Sequence, residues 1–446
     1  MFLRNTKGVH VPHMKNTRNM QPVKMPTPAI VTMPMSMHIG APAKPIVKAG
    51  DLVKVGQVIA EGDGFVSAPV HASVSGKVKK LDDILLSNGS YITTVVIESD
   101  GEDALYEGLA PHPVETVEEF VAAVRESGIV GLGGAGFPAS VKLAADPAKV
   151  DYIVLNGAEC EPYITSDTRT MINRSNEVWE GVELLRKFYS PKKIIFGIEK
   201  NKPGCIALYK DLCADSDDVE VCELPSIYPQ GGEKVLIQQT TGRIVPEGKL
   251  PLDVGCIVMN VTTLACIAQF IATGMPLTKK CVTVDGSAVK SPKNVIVPIG
   301  ATMRDVFEFT GGFKETPRKL LYGGPMMGIA APSLDVPILK NTNAILAFNE
   351  KDAQTPPETP CIRCGKCILQ CPLNLMPTAI NTAFLNEEPE KLEQLKVNLC
   401  MECGCCNYVC PANRQLVQAN KLAKAMLRTY QAAKKEEQAK KEAAKK

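Results

Sequence analysis

The chain has 446 residues, 45% of them hydrophobic, with a formal net charge of +2 and one tryptophan. At ~150 residues per domain that is about three domains, with ample material for their cores. So neutral a chain has no general electrostatic pull on nucleic acid, and 5% aromatic residues offer few base-stacking platforms, so no nucleic-acid partner is expected.

Residues 1–39 are rich in Pro, Met and His and read as an extended arm. Residues 40–110 carry short alternating apolar segments punctuated by glycines, a pattern of small strands. Gly50-Asp51, Val55-Gly56-Gln57, Ala68-Pro69 and Ser75-Gly76-Lys77-Val78 resemble a lipoyl-type barrel-sandwich hybrid. Such domains carry their cofactor on a hairpin lysine. Here the hairpin is Glu61-Gly62-Asp63-Gly64-Phe65, which has none, so a structural or docking role is expected.

Residues 111–277 read as an α/β domain. Thr116 is placed to cap a helix with Glu119 closing a capping box. Val117, Phe120, Val121 and Val124 form its apolar stripe, and Gly128 ends it. Strands are expected at 152–155, 193–197, 219–222 and 256–261, with a helix at 177–188 between two of them. The stretch from Asp253 to Lys279 holds no charge between its ends and is long enough to test as a membrane span. Asn260, Thr262, Thr263, Gln269 and the Gly-Met-Pro exit favour a buried strand followed by a helix at 263–272. Residues 278–345 form a small β-rich unit with one helix near 303–309, 346–360 a linker, 361–415 a cysteine-rich module, and 416–446 a Lys-rich helical tail whose end is solvated.

Chemistry concentrates in two places. The first is Gly131-Leu-Gly-Gly-Ala-Gly-Phe-Pro138, whose glycines let backbone N–H groups approach a flat or anionic ligand. Its Gly-x-Gly-x-x-Gly match follows a helix rather than a strand, which is the wrong context for a dinucleotide fingerprint. Three polar segments accompany it: Asn156-Gly-Ala-Glu-Cys-Glu-Pro162, Tyr228-Pro-Gln-Gly-Gly-Glu-Lys234 and Val258-Met-Asn-Val-Thr-Thr263. The first and third end strands, where open α/β sheets bind ligands. Each acid alone could be a solvated loop residue or a helix cap. Together the segments are better explained by one shared ligand.

The second place is a pair of cysteine runs. Cys361, Cys364, Cys367 and Cys371 precede Pro372; Cys400, Cys403, Cys406 and Cys410 precede Pro411. This doubled C-x2-C-x2-C-x3-C-P spacing is that of bacterial two-cluster ferredoxins, in which the fourth cysteine of each run serves the other cluster. The expected ligand sets are therefore Cys361, Cys364, Cys367 with Cys410, and Cys400, Cys403, Cys406 with Cys371. Zinc sites need neither the third spaced cysteine nor the proline. A disulfide framework suits short secreted chains, and this chain is long and shows no signal peptide. The extra Cys405 reads as a small buried side chain.

The combination GLGGAGFP, NGAECEP, YPQGGEK and VMNVTT resembles the flavin- and NADH-binding subunit of respiratory complex I. With the barrel, GVHVPHMK, YGGPMMG and the tandem cysteine runs, nearly the whole chain resembles the RnfC family, which belongs to the Rnf electron-transport complexes. The resemblance implies a multidomain α/β protein: barrel-sandwich hybrid, Rossmann-like FMN/NADH domain, β-grasp unit of the soluble-ligand-binding type, and two-cluster ferredoxin-like helical module. It implies FMN, NAD(H) and two [4Fe-4S] clusters as cofactors. Gly131, Gly133, Gly134, Gly136 and Lys142 would line FMN, joined by Asn156, Glu161, Tyr228, Gly231, Asn260 and Thr263. Phe137, Glu159 and Glu233 would face the nicotinamide dinucleotide. Complex I has an arginine where this chain has Leu132, and acids where it has Ala158 and Gly232.

NADH gives two electrons together and a [4Fe-4S] cluster takes one, so a flavin between them joins the two sites. The resemblance implies a peripheral subunit on the cytoplasmic face of the membrane, working with integral membrane and Fe-S subunits of the same complex, and indirectly with ferredoxin, while partner subunits move the ion. Two other readings share features: a cobalamin-type flavin/Fe-S reductase, in which the barrel-like element follows the flavin domain, and a non-catalytic Fe-S relay. The barrel ahead of Gly131 favours the RnfC reading.

Overall fold

The computed structural model describes residues 7–86 and 89–443; the first six residues of the arm and the last three of the tail lie outside the described residues. The barrel is built from two small antiparallel sheets. One runs Ile30–Pro34, Tyr91–Ser99, Gly76–Leu85, Leu52–Val53; the other runs Lys44–Pro45, Val58–Glu61, Val70–His71. Val31, Met33, Val78 and Ile97 of the first sheet and Ile59 and Val70 of the second share one core. The strand Ile30–Pro34 thus lies in sequence ahead of the expected start of the barrel at residue 40. The hairpin tip is exposed, and Arg125 donates to the carbonyls of Gly64 and Phe65, so the tip rests on the next domain.

That domain opens with the helix Val117–Glu126, capped by the Thr116/Glu119 box and closed at Gly128 with φ +64°. Four parallel strands follow in the order Val219–Leu224, Lys193–Glu199, Tyr152–Gly157, Cys256–Asn260. Their apolar runs are nearly continuous, as strands covered on both faces require. The uncharged stretch forms the strand Cys256–Asn260 and the buried helix Val261–Thr273. Among the described residues no helix is long and apolar enough to cross a membrane.

A mixed six-stranded sheet comes next, with Lys279–Asp285 and Ala344–Phe348 at its centre and the helix Met303–Phe309 packed on it. The arm supplies one edge strand, Val23–Lys24, which pairs parallel with Lys293–Pro298. Ala344–Phe348 is a fully buried strand of this sheet, so part of the expected linker belongs to it. Lys340 is buried where three domains meet: its ammonium donates to Pro69 O of the barrel and, at 2.7 Å, to Gly128 O of the α/β domain.

The C-terminal module is helical. Pro377–Leu385, Pro389–Gln394 and the first turns of Leu416–Ala443 enclose a core of Ile380, Ala383, Leu392, Ala423 and Leu427. The boundary expected at residue 415 therefore cuts through this module. Leu416, Ala423 and Leu427 recur at helical spacing, and each such apolar side chain leaving water contributes roughly 1.5–3 kcal/mol for the larger residues. The Lys/Glu-rich turns from residue 432 to 441 are exposed.

Candidate functional site

The strand order places a topological switch between Tyr152–Gly157 and Cys256–Asn260, whose carboxyl ends are the usual ligand crevice of an open parallel sheet. Asn156 and Asn260 are register partners there. Asn156 accepts from Ala158 N at 3.2 Å and donates to Gly231 O at 3.0 Å, tying the strand end to the second glycine turn. Asn260 caps the following helix, accepting from Thr262 N and Thr263 N, and donates to Asp167 at 2.7 Å. Thr263 accepts from Leu132 N at 2.9 Å, and Lys280 donates to Leu132 O at 2.6 Å. The glycine loop is thereby held over the switch point. Leu132 is buried in the core.

The loop closes on itself through Gly131 N to Phe137 O at 2.8 Å and Gly136 N to Gly131 O at 3.1 Å. Its crown, Gly133-Gly134-Ala135, is exposed. Gly134 has φ +124°, where a side chain is strained, and the space beside it is open. Such a crown suits the close approach of a flat, anionic ligand. At its flank Lys142 donates to Glu233 at 2.7 Å and to Val258 O at 3.1 Å; both partners of this ion pair are partly exposed.

Glu159 and Glu161 point to different partners. Glu159, at φ +45°, accepts from Asp167 N at 2.6 Å and from the Thr168 hydroxyl at 2.5 Å. It satisfies the start of the helix Ser166–Asn173, which Thr165 does not cap. Burial pushes its carboxyl up, opposed first by Lys15. Lys15 comes from the arm and donates to the carbonyls of Glu159, Glu161 and Ile164; burial holds it down at about 8. Glu161 accepts from the amides of Met326 and Met327, in the Tyr322–Gly328 loop of the neighbouring sheet domain, and faces the Tyr228 hydroxyl at 3.4 Å. Burial raises its carboxyl too, against those two amides.

The cysteine-rich module docks on this edge. Gly232 packs directly against the Met401 methyl, which a Cβ at this position would displace. Cys405 is buried and donates to Tyr228 O at 3.7 Å, sharing a small core with Val9, Val11, Tyr228 and Cys403. Cys371, Cys400, Cys403 and Cys406 line one largely apolar cavity, also bounded by Leu375, Val417 and Asn420. Cys371 thus joins the run it does not belong to. Burial raises the Cys367 thiol, and Cys410 and Cys364 add to that shift. Cys361 and Cys364 are exposed. No three His, Cys, Asp or Glu among the described residues converge closely enough for one ion. Four thiols spread around a cavity suit the corners of a cubane instead.

Lys15, Asp167, Lys280, Met326, Met327 and Asn420 were not expected at the site. Of these, Lys15 ends the GVHVPHMK stretch and the two methionines belong to YGGPMMG, so their segments alone carried a signal.

A family model of the Nuo51 FMN-binding domain matches residues 124–269, one of the RnfC barrel sandwich hybrid domain matches 3–102, and one of the SLBB domain matches 281–330. The C subunit of the proton-translocating ferredoxin:NAD(+) oxidoreductase complex of Clostridium ljungdahlii is 45% identical over 379 residues, 84% of this chain and 83% of that protein. The C subunit of the Na(+)-translocating complex of Acetobacterium woodii is 45% identical over 381 residues, 84% of this chain and 85% of that protein. The C subunit of the ion-translocating oxidoreductase complex of Rhodobacter capsulatus is 38% identical over 435 residues, 96% of this chain and 84% of that protein. Among solved structures, a chain of the NAD+-reducing [NiFe]-hydrogenase in the H2-reduced state superposes with a TM-score of 0.49 at 18% identity, covering 70% of this chain and 63% of that one. The chain belongs to the RnfC family, the C subunits of ion-translocating ferredoxin:NAD(+) oxidoreductase complexes.

Proposed function

We propose that this chain carries electrons between NAD(H), FMN and two [4Fe-4S] clusters, as a peripheral subunit on the cytoplasmic face of a membrane complex whose other subunits, integral membrane and Fe-S proteins, exchange electrons with ferredoxin and move the ion. The observation that carries this reading is the docking of the second cysteine run on the carboxyl edge of the parallel sheet, through Met401 on Gly232 and Cys405 on Tyr228 O.

When bound, FMN would take electrons in pairs and pass them singly. The chain's own residues bind, orient and shield. The crown Gly133-Gly134-Ala135 presents backbone amides to the flavin, backed by Asn156, Asn260 and Thr263, which hold loop and strand ends in place. Lys142 and Glu233 flank the mouth, where Phe137 and Glu233 would meet the nicotinamide side. Glu159 serves that side indirectly, by anchoring the helix Ser166–Asn173. Glu161 and Tyr228 join the flavin domain to the methionine loop. No acid–base residue is needed for hydride transfer.

The cysteines give the two clusters different places. Cys371, Cys400, Cys403 and Cys406 would hold the cluster beside the flavin domain. Cys361, Cys364, Cys367 and Cys410 would hold the outer one, whose exposed Cys361 and Cys364 suit exchange with a partner protein. A cobalamin-type reductase or a bare relay falls outside this reading, because the barrel precedes the glycine loop and the crown is intact.

Reconstituting native protein and Gly134→Val with FMN under anaerobic conditions tests the flavin site. A side chain at φ +124° costs roughly 1–3 kcal/mol and obstructs the crown. The variant should fold, keep its iron and lose most of its flavin and its NADH-driven dye reduction. Full flavin occupancy in Gly134→Val would remove the crown from the site.

A further inference from the structure

Asn420 lies on the helix Leu416–Ala443 and is 1% exposed. It lines the cavity of Cys371, Cys400, Cys403 and Cys406, where every other lining side chain is apolar or a thiol. Its Nδ2 donates to Cys400 Sγ at 3.3 Å, and its Oδ1 is buried without a partner. An unsatisfied buried polar group costs about 1–3 kcal/mol, so leucine at this position would serve packing better. The helix already has its apolar stripe in Leu416, Ala423 and Leu427. The amide is therefore explained by what it does to sulfur.

The first run lacks this arrangement. Asn381 stands at the same spacing after Cys371 as Asn420 does after Cys410, yet it is half-exposed. The bond received by Cys361 Sγ comes from the backbone of Arg363, at 3.4 Å. Net charge does not account for the second run either. Lys424 sits beside Cys400, donating to its carbonyl at 3.1 Å, but it is neutralised by Glu402 at 2.6 Å.

We propose that Asn420 sets the reduction potential of the flavin-side cluster, raising it through the N–H···S bond to Cys400. The inference rests on the [4Fe-4S] reading of the cysteine runs given above. One electron enters the cluster from the flavin side or from the outer cluster; no bond breaks and no proton moves. Part of the added negative charge falls on the thiolate sulfurs, so a donor aimed at one of them favours the reduced form. Asn420 is thus a positioning residue for electron flow, tuning the cluster that stands next to the flavin domain.

The test uses the full chain loaded with iron and sulfide, titrated potentiometrically with EPR detection. Asn420→Leu should move the midpoint of the flavin-side cluster to more negative potential. Asn420→Asp, which replaces the donor by a carboxylate, should move it further. The outer cluster's midpoint should stay in place in both. Full iron content with unmoved midpoints would overturn the proposal. Should either variant lose the cluster, pulsed EPR of the native chain with 15N-labelled asparagine side chains decides. Hyperfine coupling of one side-chain nitrogen to the reduced flavin-side cluster supports the bond, and its absence overturns it. A native chain that binds no iron or sulfide would instead sink the cluster reading itself, and elemental analysis reveals that before any titration.

Discussion

Glu161 Oε1 accepts the Met327 amide at 2.7 Å, while its Oε2 takes the Met326 amide at 3.1 Å. One carboxylate from the strand-end segment of the flavin domain thus grips a loop of the neighbouring sheet domain. Met326 in turn shares a small core with Cys403, Cys405 and Tyr228. The grip therefore connects the flavin domain, the sheet domain and the second cysteine run.

Glu161→Gln keeps the shape but offers one acceptor where two amides need one each. Hydrogen bonds to a charged group contribute about 1.5–3 kcal/mol, so a stability loss of roughly 1–3 kcal/mol is expected. More telling is kinetics: in stopped flow, flavin reduction by NADH should survive while the following cluster reduction slows. A variant with native cluster kinetics would show that the grip does not hold the module in register.

The proposed exchange of ligands between the two runs makes the serine variants diagnostic. Cys371→Ser should damage the cluster of the second run and spare that of its own. Cys410→Ser should do the reverse, leaving the flavin-side cluster reducible. EPR of the two reduced variants, with iron counts, distinguishes the outcomes. Damage confined to each cysteine's own run would mean that the ligands do not cross.

Lys340 ties three domains together and carries its own pH signature. Burial holds it down at about 7, against 10.5 in the unfolded chain. Between those values the unfolded chain keeps a proton that the folded chain has released. Stability therefore rises with pH across that window and is lowest below about 7, where the buried ammonium is charged. His71 packs nearby and is held at about 3, first by burial and then by the Lys340 charge. Tm measured from pH 6 to 10 should climb more in the native protein than in Lys340→Met, after common effects are subtracted. Parallel profiles would place the lysine's charge elsewhere.

Much of this layout is legible in the chain itself. Runs of apolar residues ending in Asn156 and Asn260 locate the strands to within a few residues, because a buried strand must stop where polar groups begin. Thr116 and Glu119 form the capping box their spacing implies. Other roles leave no local trace. An acid in a turn looks the same whether it meets a ligand or a helix start, so nothing near Glu159 distinguishes the two. Lys15 works through carbonyls far along the chain, and the arm has no periodicity to betray its path. Asn420 sits in a helix whose later lysines mask the buried stripe of its first turns.

Electrons are proposed to pass without a break from NADH through flavin to iron and sulfur within this one chain. The deciding measurement is an anaerobic NADH titration of the reconstituted protein, followed by visible absorbance and EPR. Bleaching of the flavin together with the signal of reduced [4Fe-4S] clusters is the expected result. Clusters that dithionite reduces but NADH does not, in protein that holds no flavin, would leave only an electron relay and refute the claim.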